Sequence, residues 1–260
     1  MENAGIRLKK TAPLAIVSLD RPNVLNALNT AALEVLDQAF ADLAQDADVR
    51  VILLTGEGDR AFAAGADLSE IADLTAEEGR AFALRGQRIF RRIETLGKPV
   101  IACIRGFALG GGCELAMACT LRLAADTARL GQPEVKLGLI AGYGGSQRLP
   151  RLVGRGAALK LLLTGAIIDA HEALRIGLID EVVPAANLMQ RAEEVAQTIA
   201  ANAPLALAAT LLAVDEGLDL PLELALAREA EIFGRLCATD DKNEGVQAFL
   251  NKRVAHWSGR

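Results

Sequence analysis

One stretch limits what this chain can become: residues 104–124, IRGFALGGGCELAMACTLRLA. Small residues, Gly106, Ala108, Gly110 and Gly111, lead into a run that changes character at Gly112. From Cys113 to Cys119 every residue except Glu114 is small or apolar. The pattern predicts a helix entering a buried core with one carboxylate in its first turn. Glycine ahead of a helix lets the backbone approach a ligand with no side chain in between. The helix start leaves unpaired N–H groups and the positive end of its dipole aimed at whatever lies there. An electrophilic hole with an acid or base beside it fits these features. Plain packing fits them too, because a first-turn glutamate is a favourable dipole partner without any chemistry. A second glycine-rich stretch, GQPEVKLGLIAGYGGS at 131–146, sets another carboxylate, Glu134, among glycines and apolar residues and favours a site.

At 260 residues the chain can bury a real core, as one large domain or one with a small appendage. Hydrophobic residues at 52% with only 3% aromatics suit a helix-rich protein. No uncharged apolar run reaches the roughly 18 residues of a membrane span, and MENAGIRLKKTAP lacks the apolar core of a signal peptide. A net charge of −5 without a lysine or arginine block argues against nucleic acid as a partner. Cys103, Cys113, Cys119 and Cys237 lie in apolar surroundings without metal-type spacing, which predicts reduced core thiols in a cytoplasmic protein. His171 and His256 form no triad or zinc pattern. His171 reads as structural, and His256 sits on a tail expected to be loosely held.

Along the chain, LAIVSL at 14–19 predicts a strand, and apolar residues at 33, 36, 40 and 43 predict a helix capped by Asn29 or Thr30. VRVILLTG at 49–56 is the near-continuous apolar run of a strand covered on both faces, and strand, helix, strand implies a right-handed crossover. GEGDRAFAAGADLSEI offers exposed backbone at Ala64, Gly65 and Ala66, with a helix after Asp67-Leu68. No lysine follows its glycines, so it is not a phosphate loop. Residues 69–96 read as helical, broken near Thr75 and Gly79, before the buried strand PVIACIRGFA. Residues 121–126 and ARLGQPE add two short extended segments to an α/β layered core. Beyond 146 helices dominate, one starting near Gly154 and one capped by Asp169. The expected division is 1–194 as core and 195–260 as an all-helical attachment, with no internal repeat visible.

Two glutamates on glycine-rich supports suit proton transfer at neighbouring atoms of a polarised bond. A carbonyl oxygen between the amides of Ala66 and Gly111 would be drawn toward an enolate, on the order of 3 kcal/mol per donor. Glu114 would then hold or deprotonate a water, and Glu134 would exchange a proton at the adjacent carbon. Apolar flanks would keep both carboxyls poised.

The chain resembles the crotonase superfamily, and within it the short-chain enoyl-CoA hydratases, over nearly its whole length. The resemblance runs through LDRPNVLNALN, AFAAGADLSEI, IRGFALGGGCELAMAC, GQPEVKLGLIAGYGGSQRLPRLVG, LTGAIIDAHEALRIGLIDEVVP and DKNEGVQAFLNKR. It implies a spiral of ββα units with a C-terminal helical trimerisation region, assembled as a trimer or a hexamer of two trimers. It implies an acyl-coenzyme A thioester as substrate and no cofactor or metal. By the same resemblance Ala66 and Gly111 are the oxyanion donors, Glu114 activates water and Glu134 exchanges the α-proton. Gly142 lends an amide to the water. Ala64 and Leu68 meet coenzyme A with Asp67 nearby, Lys252 reaches the nucleotide phosphates, often of a neighbouring subunit, and Phe233 lines the cleft. Isomerases of the superfamily usually lack the water-activating glutamate, so keeping both favours hydration. Other readings are isomerisation, a branched methylglutaconyl-like substrate, or a non-catalytic coenzyme A-binding scaffold. The chain departs from the pattern at Ala141, where proline is common, and at Tyr143, where a small residue is frequent; Tyr143 is expected either to trim the acyl pocket or to pack at the surface.

Overall fold

Three times along the chain a long buried strand is followed by a three-residue strand and then a helix. A computed structural model describes residues 4–260. The three turns are β3 (Val51–Gly56), β4 (Ala61–Ala63) and α2 (Ala76–Glu94); β5 (Val100–Ile104), β6 (Phe107–Leu109) and α3 (Gly111–Met117); and β7 (Leu121–Ala125), β8 (Arg129–Gly131) and α4 (Gly145–Thr164). Ahead of them come β1 (Ile6–Thr11), β2 (Leu14–Leu19) and α1 (Thr30–Gln45). After them come β9 (Ile167–Asp169), α5 (Ala170–Arg175) and β10 (Glu181–Val183). The long strands form one sheet in the order β1-β2-β3-β5-β7-β10, and the short ones a second sheet, β4-β6-β8-β9. Only the β1–β2 and β8–β9 pairs are antiparallel. This is the expected spiral of ββα units. The repeat is geometric, and no shared residues announce it in the sequence.

The near-continuous apolar strands are buried on both faces because alternate side chains enter two different cores. Ile52, Leu54, Ala102 and Ile104 join the interior packed under α1 and α2. Val51, Leu53, Ile101 and Cys103 face α6 (Leu188–Ala200), which meets them with Leu188, Ala192, Ala196 and Ala200. The i, i+4 spacing of that leucine and the three alanines keeps one stripe against the sheet.

Several local expectations hold at the residue level. The Asn29 side chain accepts the Ala32 N–H at 2.9 Å and caps α1, and the Asp169 side chain caps α5 by accepting the Glu172 N–H at 2.8 Å. Others shift. Helix α2 is unbroken through Gly79, and Thr75 is its N-cap, paired reciprocally with Glu78 in a capping box. Helix α4 begins at Gly145, and Gly154 kinks it, with φ 75° and ψ 158°, where the sequence indicated a start. The three-residue strands β9 and β10 are too short to show alternation and were not anticipated.

The boundary expected at 194/195 falls inside α6, whose buried stripe belongs to the sheet. The helical extension begins beyond it with α7 (Pro204–Gly217), α8 (Leu222–Leu236) and α9 (Asp240–Leu250). Helix α7 has no buried residue, and Leu218, Leu222, Leu224, Phe249 and Leu250 are exposed. No single described helix is long and apolar enough to cross a membrane. The tail expected to be loose is pinned instead. The buried Asp241 carboxylate accepts the N–H groups of Ser258 and Gly259, and Glu244 binds Arg253 and the His256 N–H. The Trp257 indole N–H donates to the Ala201 carbonyl at 2.7 Å. Of the cysteines, Cys103, Cys113 and Cys119 are buried as expected and Cys237 is exposed.

Helix α3 lies directly against β4, because a side chain at Gly112 would collide with the Ala63 carbonyl. Gly112→Ala is expected to destabilise the fold by about 2 kcal/mol or more, read as a lowered urea midpoint with an unchanged slope.

Candidate active site

Glu114 sits in the first turn of α3 with 1% of its surface exposed. Its Oε1 accepts two backbone N–H groups from the loop entering α4, Tyr143 at 2.8 Å and Gly145 at 2.6 Å. Burial pushes the carboxyl up to about 7, and the nearby charge of Glu134 adds to this. The Gly145 and Tyr143 amides and the Arg148 guanidinium pull the other way. A carboxyl titrating near neutrality exists in both forms at working pH, as general acid–base chemistry requires.

Glu134 opens a short 3₁₀ turn, Glu134–Leu137, directly after β8. It is half-buried, and burial raises its pKa. Its one side-chain partner is Gln132, itself 1% exposed; two carboxylate oxygens accept no bond from an amide oxygen, so the Gln132 amide is assigned with its NH2 toward Glu134, at 3.0 and 3.1 Å. Gln132 was missed in the sequence, although a polar residue between Gly131 and Pro133, two positions before a candidate acid, is a usable signal. Gly110 makes room for Glu134. Its φ of 50° and ψ of −125° suit glycine, and a Cβ there would stand 2.7 Å from Glu134 Oε1.

The loop at 64–67 is tied to the segment ahead of α1. Gly65 O accepts the Leu28 N–H, and the Asp67 N–H donates to Leu28 O, at 2.8 and 3.0 Å. With its two neighbours committed to Leu28, Ala66 turns its own N–H to the opposite side. Gly111 is the first residue of α3, so its N–H has no partner within the helix. Among the described residues no acceptor takes either N–H. The Ala66 nitrogen lies 3.2 Å from where a Gly111 side chain would begin, so the two free donors are neighbours.

Both donors and both carboxylates line one mostly apolar cavity of about 550 Å³. Ala64, Leu68, Gly142 and Tyr143 line it as well, with Ile71 and Phe82 among its apolar walls. Tyr143 is therefore not on the surface. It is 2% exposed, its ring 5.3 Å from that of Phe82 and 5.4 Å from that of Phe90, and its hydroxyl has no hydrogen-bond partner. Gly142 is at the cavity as expected, but the amides on Glu114 are those of Tyr143 and Gly145, and the Gly142 carbonyl accepts from Gln87. Asp67 is not in the lining: its carboxylate caps the turn at Leu68–Glu70 and lies 3.6 Å from Arg21. Phe233, 69% exposed on α8, and Lys252, just beyond α9, are also outside the lining. Among the described residues no cluster of three or more His, Cys, Asp or Glu side chains has metal-binding geometry.

A spiral of ββα units with paired glutamates and free amides around one apolar cavity defines a crotonase-class protein. The family model for enoyl-CoA hydratase/isomerase matches residues 9–260. The chain is 46% identical over 253 residues to a short-chain-enoyl-CoA hydratase of Clostridium acetobutylicum, covering 97% of each. It is 45% identical over 257 residues to a crotonyl-CoA hydratase of Syntrophomonas wolfei, covering 99% of each. A crystal structure of an enoyl-CoA hydratase from Bacillus anthracis superposes with a TM-score of 0.95 at 40% identity, over 98% of this chain and 100% of that one. The chain belongs to the enoyl-CoA hydratase/isomerase family.

The raised carboxyl has a thermodynamic consequence. A folded-state pKa of about 7 against 4.5 means that the folded protein keeps a proton which the unfolded chain releases. This lowers stability progressively as pH rises from the lower value through the upper one. Glu114→Gln is expected to match the wild type near pH 4.5 and to exceed it by about 3 kcal/mol near pH 8, measured by urea unfolding at both pH values.

Proposed function

We propose that the protein is an enoyl-CoA hydratase acting on a short trans-2-enoyl-CoA, with water adding syn across the 2,3 double bond to give the 3-hydroxyacyl-CoA. The observation that carries this reading is the meeting of two unclaimed amides and two carboxyls of raised pKa in one apolar cavity. The thioester oxygen lies between the N–H groups of Ala66 and Gly111. Ionised Glu114 takes a proton from water as the water oxygen bonds to C3. The π electrons move onto the thioester oxygen, where the two amides hold the enolate charge. Protonated Glu134 then delivers its proton to C2 as the carbonyl re-forms. Low polarity around Glu134 favours its neutral, proton-bearing state, and Gln132 orients it. The acyl-CoA is the substrate and no cofactor takes part.

Coenzyme A enters past Ala64 and Leu68, which lie at the cavity. Lys252 and Phe233 lie outside it within one chain, which fits a role across a subunit boundary. The uncovered apolar residues of α7, α8 and α9 support a homotrimer, or a hexamer of two trimers, built through this region. Buried free thiols at Cys103, Cys113 and Cys119 favour a cytoplasmic setting.

Hydration of crotonyl-CoA, followed as loss of the conjugated thioester absorbance, tests the reading directly. Glu114→Gln and Glu134→Gln are each expected to lower kcat by on the order of 10²–10⁴, and Glu134→Gln also to abolish deuterium exchange at the α-carbon of the product. Double-bond migration without hydration would identify an isomerase, and coenzyme A binding without turnover a scaffold. For the assembly, Leu222→Glu combined with Phe249→Glu is expected to reduce the mass in sedimentation equilibrium from three or six chains to one.

A further inference from the structure

The loop from Gly142 to Gly145 presents two faces, and the one turned away from Glu114 carries the inference, which rests on the hydratase reading. Each amide that reaches Glu114 belongs to a planar peptide whose carbonyl points the opposite way. The Tyr143 N–H shares its peptide with the Gly142 carbonyl, which accepts the Gln87 amide of α2 at 2.9 Å. The Gly145 N–H shares its peptide with the Gly144 carbonyl, which accepts the backbone N–H of Arg148 at 2.8 Å. The peptide between them is gripped as well, because Arg148 Nη1 donates to the Tyr143 carbonyl at 2.9 Å.

Arg148 does not float. Its Nε and Nη2 form a two-pronged pair with Glu94, at the end of α2, at 3.0 Å each, and its side chain is 13% exposed. A side chain at Gly144 would strike the guanidinium, so the backbone lies directly on it. Burial of Glu94 works against ionisation, but Arg148 and then Arg91 hold its carboxyl below the usual range, so the pair is charged at neutral pH. A planar, bidentate contact of this kind fixes direction as well as distance.

We propose that Arg148, anchored on Glu94, is a positioning residue for hydration: it locks the Tyr143 carbonyl and so keeps the two neighbouring peptides turned with their N–H groups on Glu114. Releasing that carbonyl frees the loop to rotate a peptide, and Glu114 loses donors that stabilise its ionised form. The charged and titratable groups around Glu114 are Glu134 from the turn after β8, Arg148 from α4, the Tyr143 phenol and the Cys113 thiol on its own helix. Only Arg148 among these touches the loop carbonyl. Glu134, on a separate turn with Gln132 as its partner, stands apart from the lock.

The test is the pH profile of kcat/KM for crotonyl-CoA hydration in the intact protein. Arg148→Met and Glu94→Gln are each expected to move the acid limb upward by about one unit, with roughly tenfold loss near pH 6 that recovers in alkaline solution. Gln87→Leu, a change at a more exposed side chain, is expected to move the limb the same way by a smaller amount. Exchange of the product's α-proton, which depends on Glu134, is expected to change less than hydration. An unshifted acid limb in folded variants, with activity scaled down equally at every pH, would overturn the proposal. So would equal losses in hydration and exchange. Should Arg148→Met fail to fold, Glu94→Gln and Gln87→Leu carry the same test. A wild-type protein that does not hydrate crotonyl-CoA refutes the hydratase reading instead. The lock is then read without turnover: the stability gap between the chain and its Glu114→Gln variant should keep widening to a higher pH before it levels off in the Glu94→Gln background, and an unmoved levelling-off would overturn the lock itself.

Discussion

A carboxylate placed almost wholly out of water has to be held by something, and in this protein two peptide N–H groups hold Glu114. Burying one ionised carboxyl costs several kcal/mol after relaxation, whereas each hydrogen bond to a charged group returns about 1.5–3 kcal/mol. The two effects come close to balance, which is why Glu114 is pushed only to about 7 and not beyond use. Had the donors been absent, the residue would be a neutral acid at working pH. Had it been exposed, it would be an ordinary carboxylate with no readiness to return a proton. The rest of the site follows from keeping that balance in place.

The spiral supplies the means. Each turn carries the chain along the large sheet, across the small one and into a helix, so successive turns present equivalent loops on the same side. The loop after β4 brings Ala66, the next turn brings Gly111 and Glu114, and the turn after that brings Glu134 and the Tyr143–Gly145 amides. Three consecutive turns thus contribute to one cavity, while α2 forms its far wall and braces the last loop from behind. Glycine is needed where these turns touch most closely, between α3 and β4 and between Gly110 and Glu134.

Much of this was legible because it is written in local chemistry. The buried strands announced themselves by near-continuous apolar runs, the helix starts at Asn29 or Thr30 and at Asp169 by residue types that cap, and Glu114 by standing alone in an apolar helix start. Other features had no local signature. Strands of three residues, β9 and β10 among them, are shorter than any alternation that could reveal them. Gly79 looked like a break in α2 and is tolerated, because the capping box at Thr75 and the packed stripe further along outweigh the weakness of one glycine. Tyr143 was open between surface and pocket, since burial of a lone aromatic depends on what lies opposite it, here Phe82 and Phe90. The tail around His256 looked free because nothing in its own composition shows that Asp241 and Glu244 bind its backbone.

By itself, the sequence determined the family, the alternation of strands and helices, and the two candidate carboxylates that line the cavity, all of which rest on residue types and spacings along the chain. Which amides hold Glu114, that Gln132 attends Glu134, that Arg148 grips the loop through Glu94, and that α6 belongs to the sheet were decided only by tertiary structure. Those facts depend on the direction of peptide planes and on contacts between residues far apart in the chain. Backbone N–H groups are the same in every residue but proline, so no sequence can say which of them will turn inward until the fold has oriented them.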